Sequence, residues 1–65
     1  MIEIGNYIFP INGIMYIKFI KQKIYYTVYV YLYKQDFPIG VDNIPKEYLN
    51  NIVKRLELVG ENKWN

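Results

Sequence analysis

Eleven consecutive residues, Ile24 to Lys34, carry an alternation that leaves a chain of this length few ways to fold. The even positions are Ile24, Tyr26, Val28, Val30 and Leu32. The odd positions are Tyr25, Thr27, Tyr29, Tyr31 and Tyr33. Successive side chains of an extended segment point to opposite faces, so one face is mostly aliphatic and the other is a ladder of four tyrosines. The expectation is a strand over 24–34 with its aliphatic face turned to a core.

The preceding segment, Ile14 to Lys21, tests that expectation independently. Joining the two at Gln22-Lys23 sets Phe19 against Tyr26, Ile17 against Val28 and Met15 against Val30, all on the aliphatic face. The opposite face then pairs Lys18 with Thr27, Tyr16 with Tyr29, Ile14 with Tyr31 and Ile20 with Tyr25. Gln22-Lys23 is a poor two-residue turn, and a four-residue loop preserves the same parity. Two strands read separately thus agree on which side is buried.

The flanking segments complete an α+β reading. Residues 2–4 and 7–9 form a tight hairpin around Gly5-Asn6, both of which tolerate positive φ. Ile2, Ile4, Tyr7 and Phe9 fall on one face, Glu3 and Ile8 on the other. Pro10-Ile11-Asn12-Gly13 is a turn. A short strand over 39–41 follows Pro38, which confines it to a sheet edge. Asp42-Asn43 offers a helix cap with Pro45 in the first turn. Tyr48, Leu49, Ile52, Val53, Leu56 and Val59 then recur at helical spacing, and Gly60 is a stop. The expected architecture is a single domain over 1–65. It is an antiparallel β-meander of four to five strands with a helix over 45–59 packed on the aliphatic face, then a polar tail over 60–65 holding Trp64.

Size and composition narrow the function classes. A 65-residue domain buries only about 60 % of the surface its unfolded chain exposes, so its core alone gives marginal stability. Cys and His are absent, which excludes disulfides and a Cys/His zinc site. Self-association is the remaining support, and a homo-oligomer is expected. Ser is absent too, Thr27 is the sole aliphatic hydroxyl and Arg55 the sole arginine. The usual nucleophile and base pairs therefore cannot be assembled, and no catalytic residue is assigned. The carboxylates Glu3, Asp36, Asp42, Glu47, Glu57 and Glu61 lack metal-ligand spacing. Gly5, Gly13, Gly40 and Gly60 are too far apart for a phosphate loop. No cofactor and no metal are expected. The opening Met1-Ile2-Glu3 lacks a signal-peptide pattern and no run is long enough to span a bilayer, so the expected location is cytoplasmic, with no membrane partner.

What remains to be explained is the tyrosine face: Tyr16, Tyr25, Tyr29, Tyr31 and Tyr33, with Lys18, Ile14 and Ile20. Exposed apolar patches mark interfaces, and tyrosine suits them by burying a large ring while keeping a polar tip. Three readings follow: a contact between copies of the chain, a stacking platform for a base or nucleotide, and a surface that grips another protein. Lys21 and Lys23 cluster with Lys18 near one end of the long hairpin. They serve either as solubilising edge charges or as phosphate contacts. The net charge of +2 permits an anionic ligand and argues against a dedicated nucleic-acid coat, leaving weak single-strand binding as a lesser alternative.

The succession Asn6-Tyr7-Ile8, Ile14, Ile17, Val28-Tyr29-Val30 and a Pro45-led helix resembles small phage- and prophage-encoded proteins built as a β-meander with one helix. Several such anti-defence proteins are oligomers that sequester nucleotide immune signals. The resemblance implies a role of that kind in a host cytoplasm. Inhibition of a host defence enzyme, in the manner of anti-CRISPR or anti-restriction factors, is the alternative it leaves open.

Overall fold

The computed structural model describes residues 1–58. Five strands and one helix follow in order: β1 (Ile2–Ile4), β2 (Tyr7–Phe9), β3 (Ile14–Lys21), β4 (Tyr26–Leu32), β5 (Ile39–Ile44) and α1 (Lys46–Leu58). The protein is α+β. Its strands do not form one meander, however: β1 and β2 make a two-stranded sheet, and β3, β4 and β5 a separate three-stranded sheet with β4 in the centre. A 3-10 turn over Ile11–Gly13, closed by the Gly13 N–H donating to the Pro10 carbonyl at 2.9 Å, separates β2 from β3.

The first hairpin has the expected register, with Ile2 opposite Phe9 and Ile4 opposite Tyr7. Gly5 takes φ +61° at its turn. Ile2, Ile4 and Phe9 are buried, while Tyr7 stays exposed and stacks on Phe9 with ring centroids 5.9 Å apart.

In the long hairpin the parity holds and the register moves. Phe19 lies opposite Val28, Ile17 opposite Val30, Lys18 opposite Tyr29 and Ile20 opposite Thr27. Each pairing is two residues from the expected one because the turn is a four-residue loop, closed by the Gln22 N–H on the Tyr25 carbonyl at 2.8 Å. Gln22-Lys23 lacks the residues that a two-residue turn demands. Consequently Ile24 and Tyr25 belong to the loop, and β4 spans Tyr26–Leu32 rather than 24–34. A bulge at Met15 then exchanges two assignments: Ile14, expected on the tyrosine face, is fully buried, and Met15, expected in the core, is exposed. An extra residue in one strand reverses the alternation beyond it.

β5 is longer than 39–41 and is an edge strand, as Pro38 requires. It runs through Asp42-Asn43, expected to cap the helix, by means of a second bulge opposite Tyr26 to Val28. Asn43 absorbs it with φ 61°, a conformation asparagine tolerates better than most residues. α1 begins at Lys46, one residue after Pro45. Val59, Gly60 and Trp64 lie outside the described residues.

The core is one cluster in which the first hairpin (Ile2, Ile4, Phe9) and α1 (Leu49, Ile52, Leu56) meet the aliphatic side of the larger sheet (Ile14, Ile17, Val28, Val30, Val41, Ile44). Both therefore pack on the same side. Among the described residues, no helix is long and apolar enough to cross a membrane.

Candidate functional site

With hairpin and helix both on the aliphatic side, the described chain lays no further layer over the outer face of β3–β4–β5. Pairing arranges that face in rows. Tyr16 lies opposite Tyr31, with rings 6.1 Å apart and tilted by 54°. Next comes Lys18, Tyr29 and Gly40, and then Ile20 opposite Thr27. The Tyr29 ring leans over Gly40: a methyl there would come within 3.1 Å of Tyr29 Cε1. Glycine without a side chain gives the ring a surface to cover, and the ring in turn shields a weak strand position.

Thr27 is the anomaly. It stands on the outer face yet is only 5 % exposed. Its hydroxyl donates to Asp42 Oδ1 at 2.9 Å, and Gln22 Nε2 approaches its Oγ1 at 3.5 Å. One end of the face is thereby closed by a polar patch tying β4 to β5.

Of the residues singled out in the sequence, Tyr16, Tyr29 and Tyr31 are brought together, half-buried, with Lys18 exposed among them. Tyr25, Lys21 and Lys23 sit at the hairpin's end: Lys21 closes β3, and the other two are in the loop. Tyr33 falls one residue past β4 and is 62 % exposed. The face is therefore three tyrosines wide, not five. Sequence reasoning missed Gly40 and Asp42. The period-two signal of Phe37, Ile39 and Val41, continued by one residue, assigns both to the tyrosine side.

Charge is unevenly spread. Residues 14–35 contain four lysines and no carboxylate, while all six carboxylates lie outside this hairpin. A hairpin with that balance attracts anions despite the chain's small net charge. Among the described residues no three carboxylates converge as a metal site would need. Three clefts lie away from Tyr16, Tyr29 and Tyr31, the second of them reaching the sheet at Gly40 and Asp42. One lies between β1 and α1, lined by Glu3, Tyr48 and Arg55. Another lies between the first hairpin's turn and the β5 bulge. A third, mostly apolar, is lined by Pro10, Leu32 and Tyr33.

No family model matches the chain, and neither a curated protein nor a solved structure is significantly similar to it.

Proposed function

We propose that this chain is a non-catalytic binding protein that holds a small nucleotide on the outer face of its three-stranded sheet. The observation that carries the reading is Lys18 beside Tyr29, with the Tyr16–Tyr31 pair in the next row, on the side of the sheet left open by hairpin and helix. Stacking of a base on an aromatic side chain is worth about 1–3 kcal/mol. A lysine ammonium supplies a point charge for phosphate. The carboxylate-free hairpin adds Lys23 in the loop at one end of the sheet, whereas Lys21, expected as a second phosphate contact, pairs with Tyr26 and shares the aliphatic side with Ile17 and Phe19. A protein of this kind acts stoichiometrically, by lowering the free concentration of its ligand. That is the behaviour of an anti-defence protein that sequesters a nucleotide immune signal in a host cell.

Isothermal titration against cyclic and ADP-ribose-derived nucleotides tests the proposal. Binding by the native chain and its loss in Tyr29→Ser support it. If no ligand binds more tightly than about 100 μM, roughly −5.5 kcal/mol, the proposal fails.

A second reading rests on the shape of the face. None of the three clefts is lined by Tyr16, Tyr29 or Tyr31, and an open aromatic surface also suits another protein. Capture of a host defence enzyme by the native chain but not by Tyr29→Ser/Tyr31→Ser favours this reading if no nucleotide binds.

A further inference from the structure

The two sheets treat their outer edges differently. At β1, the Tyr48 hydroxyl donates to the Glu3 carbonyl at 3.1 Å and Arg55 donates to the Met1 carbonyl at 3.0 Å. The helix thereby occupies carbonyls that an edge strand would otherwise offer to another chain. β5 is broken by its bulge at Asp42-Asn43. Strand β3 is the longest in the fold, eight residues, and no strand of the described chain pairs with its outer edge.

Which groups that edge presents follows from the loop. The bond from Gln22 N–H to the Tyr25 carbonyl makes 22:25 a hydrogen-bonded pair. Alternation then makes 20:27, 18:29 and 16:31 hydrogen-bonded pairs as well. Ile17, Phe19 and Lys21 therefore turn their N–H and C=O groups outward. Such a row is a template for a further strand, and lysines are a common means of blocking it. Here the block is Lys18 and Lys21, with no carboxylate on the hairpin to offset them.

We infer that β3 pairs antiparallel with β3 of a second copy when an anion neutralises Lys18, and that the seam gathers the two Lys18 side chains into a phosphate site. A two-fold axis at Phe19 satisfies every outward group: Phe19 opposes its own copy, and Ile17 opposes Lys21 of the second copy. Lys18 then faces Ile20 of the second copy rather than another lysine. The two Lys18 residues become diagonal neighbours, about 7–8 Å apart, close enough for one phosphate group between their ammonium groups. The result is a six-stranded sheet with its tyrosine face continuous and open. This goes beyond nucleotide stacking, because it requires only phosphate charge and a free edge.

Sedimentation velocity on the full chain at low salt, with and without inorganic pyrophosphate, tests it. The expected mass is one chain, 7.9 kDa, without pyrophosphate and two chains with it, so the homo-oligomer expected from the small core forms only once the anion is bound. Lys21→Pro removes an outward N–H that β4 does not use, and should stay single with pyrophosphate present. Lys18→Gln, an exposed change that preserves the sheet, should pair without pyrophosphate. The inference is overturned by a native mass that pyrophosphate does not change. It is equally overturned by a Lys21→Pro chain that keeps its circular dichroism and still doubles, or by a Lys18→Gln chain that remains single. Nucleotide binding by a native chain that stays single keeps the proposed function and removes this seam. Doubling with pyrophosphate but no nucleotide binding does the reverse.

Discussion

The ring of Tyr29 rests on Gly40 across the β4–β5 pair, so close that a methyl at Gly40 would meet Cε1 at 3.1 Å. This packing is the point at which the aromatic face and the sheet's stability depend on the same atoms. Gly40→Ala pulls them apart. Alanine reduces the freedom of the unfolded chain, worth about 0.4–1 kcal/mol, at a position whose φ is ordinary for an L residue. The Tyr29 ring has open space above it and can shift by the few tenths of an ångström required. Denaturant unfolding should show a small gain in stability. Nucleotide titration should show weaker binding, because the ring is tilted out of plane. A gain in stability with binding unchanged would mean that the ring takes no part in binding.

Thr27→Val keeps the shape of the side chain and removes the hydroxyl that donates to Asp42. A hydrogen bond to a charged group contributes about 1.5–3 kcal/mol, and the exposure of Asp42 places this one at the low end. A double-mutant cycle with Asp42→Ala in urea, which removes the acceptor as Thr27→Val removes the donor, should give a coupling of about 1.5 kcal/mol. Zero coupling would assign the burial of Thr27 to the Gln22 side chain alone.

Parity was legible in residues 24–34 because a period of two survives any even shift of register. Position was not. The four-residue loop displaced the cross-strand pairs from Tyr16 to Ile20 by two residues, and turn length depends on closure geometry that Gln22-Lys23 does not announce. The bulges at Met15 and at Asp42-Asn43 were invisible for a related reason: an inserted residue looks like any other until its partner strand is in place. Asp42-Asn43 reads equally as a helix cap and as a bulge followed by Ile44 and Pro45. The pairing of Tyr26 with Ile44 decided between them. On the face itself, Tyr16, Tyr29, Tyr31 and Lys18 were readable from alternation. The burial of Thr27 was not, because it comes from Asp42, fifteen residues away.

Gly5 couples the first hairpin to the larger sheet. It has φ +61°, and a Cβ there would sit 2.6 Å from Val41 Cγ1, closer than the two atoms can approach. Gly5→Ala therefore meets backbone strain and a clash with a buried neighbour together, and overpacking alone costs about 1–3 kcal/mol. In a domain with only a few kcal/mol to lose, the variant should be largely unfolded at 37 °C by circular dichroism. Measured in a Val41→Ala background, the cost of Gly5→Ala should be smaller, because the clash is gone and the strain remains. An equal cost in both backgrounds would place the whole of it in the backbone.

Tyr48 and Arg55 lie seven residues apart on α1 and bond the carbonyls of Glu3, in β1, and Met1, just before it. Two helical turns rise about 11 Å and two strand residues span about 7 Å, so flexible side chains must bridge the difference. Both bonds are exposed, and each should contribute only about 0.5–1.5 kcal/mol. Tyr48→Phe should lower stability by an amount in that range without altering the β1–β2 register, since Ile2 and Ile4 remain in the core. The larger effect should be local. With the Glu3 carbonyl released, the β1 amides should exchange with solvent faster while those of β4 remain protected, because edge strands open before central ones. Equal acceleration in both strands would show that the helix holds the whole fold together through Tyr48 rather than capping one edge.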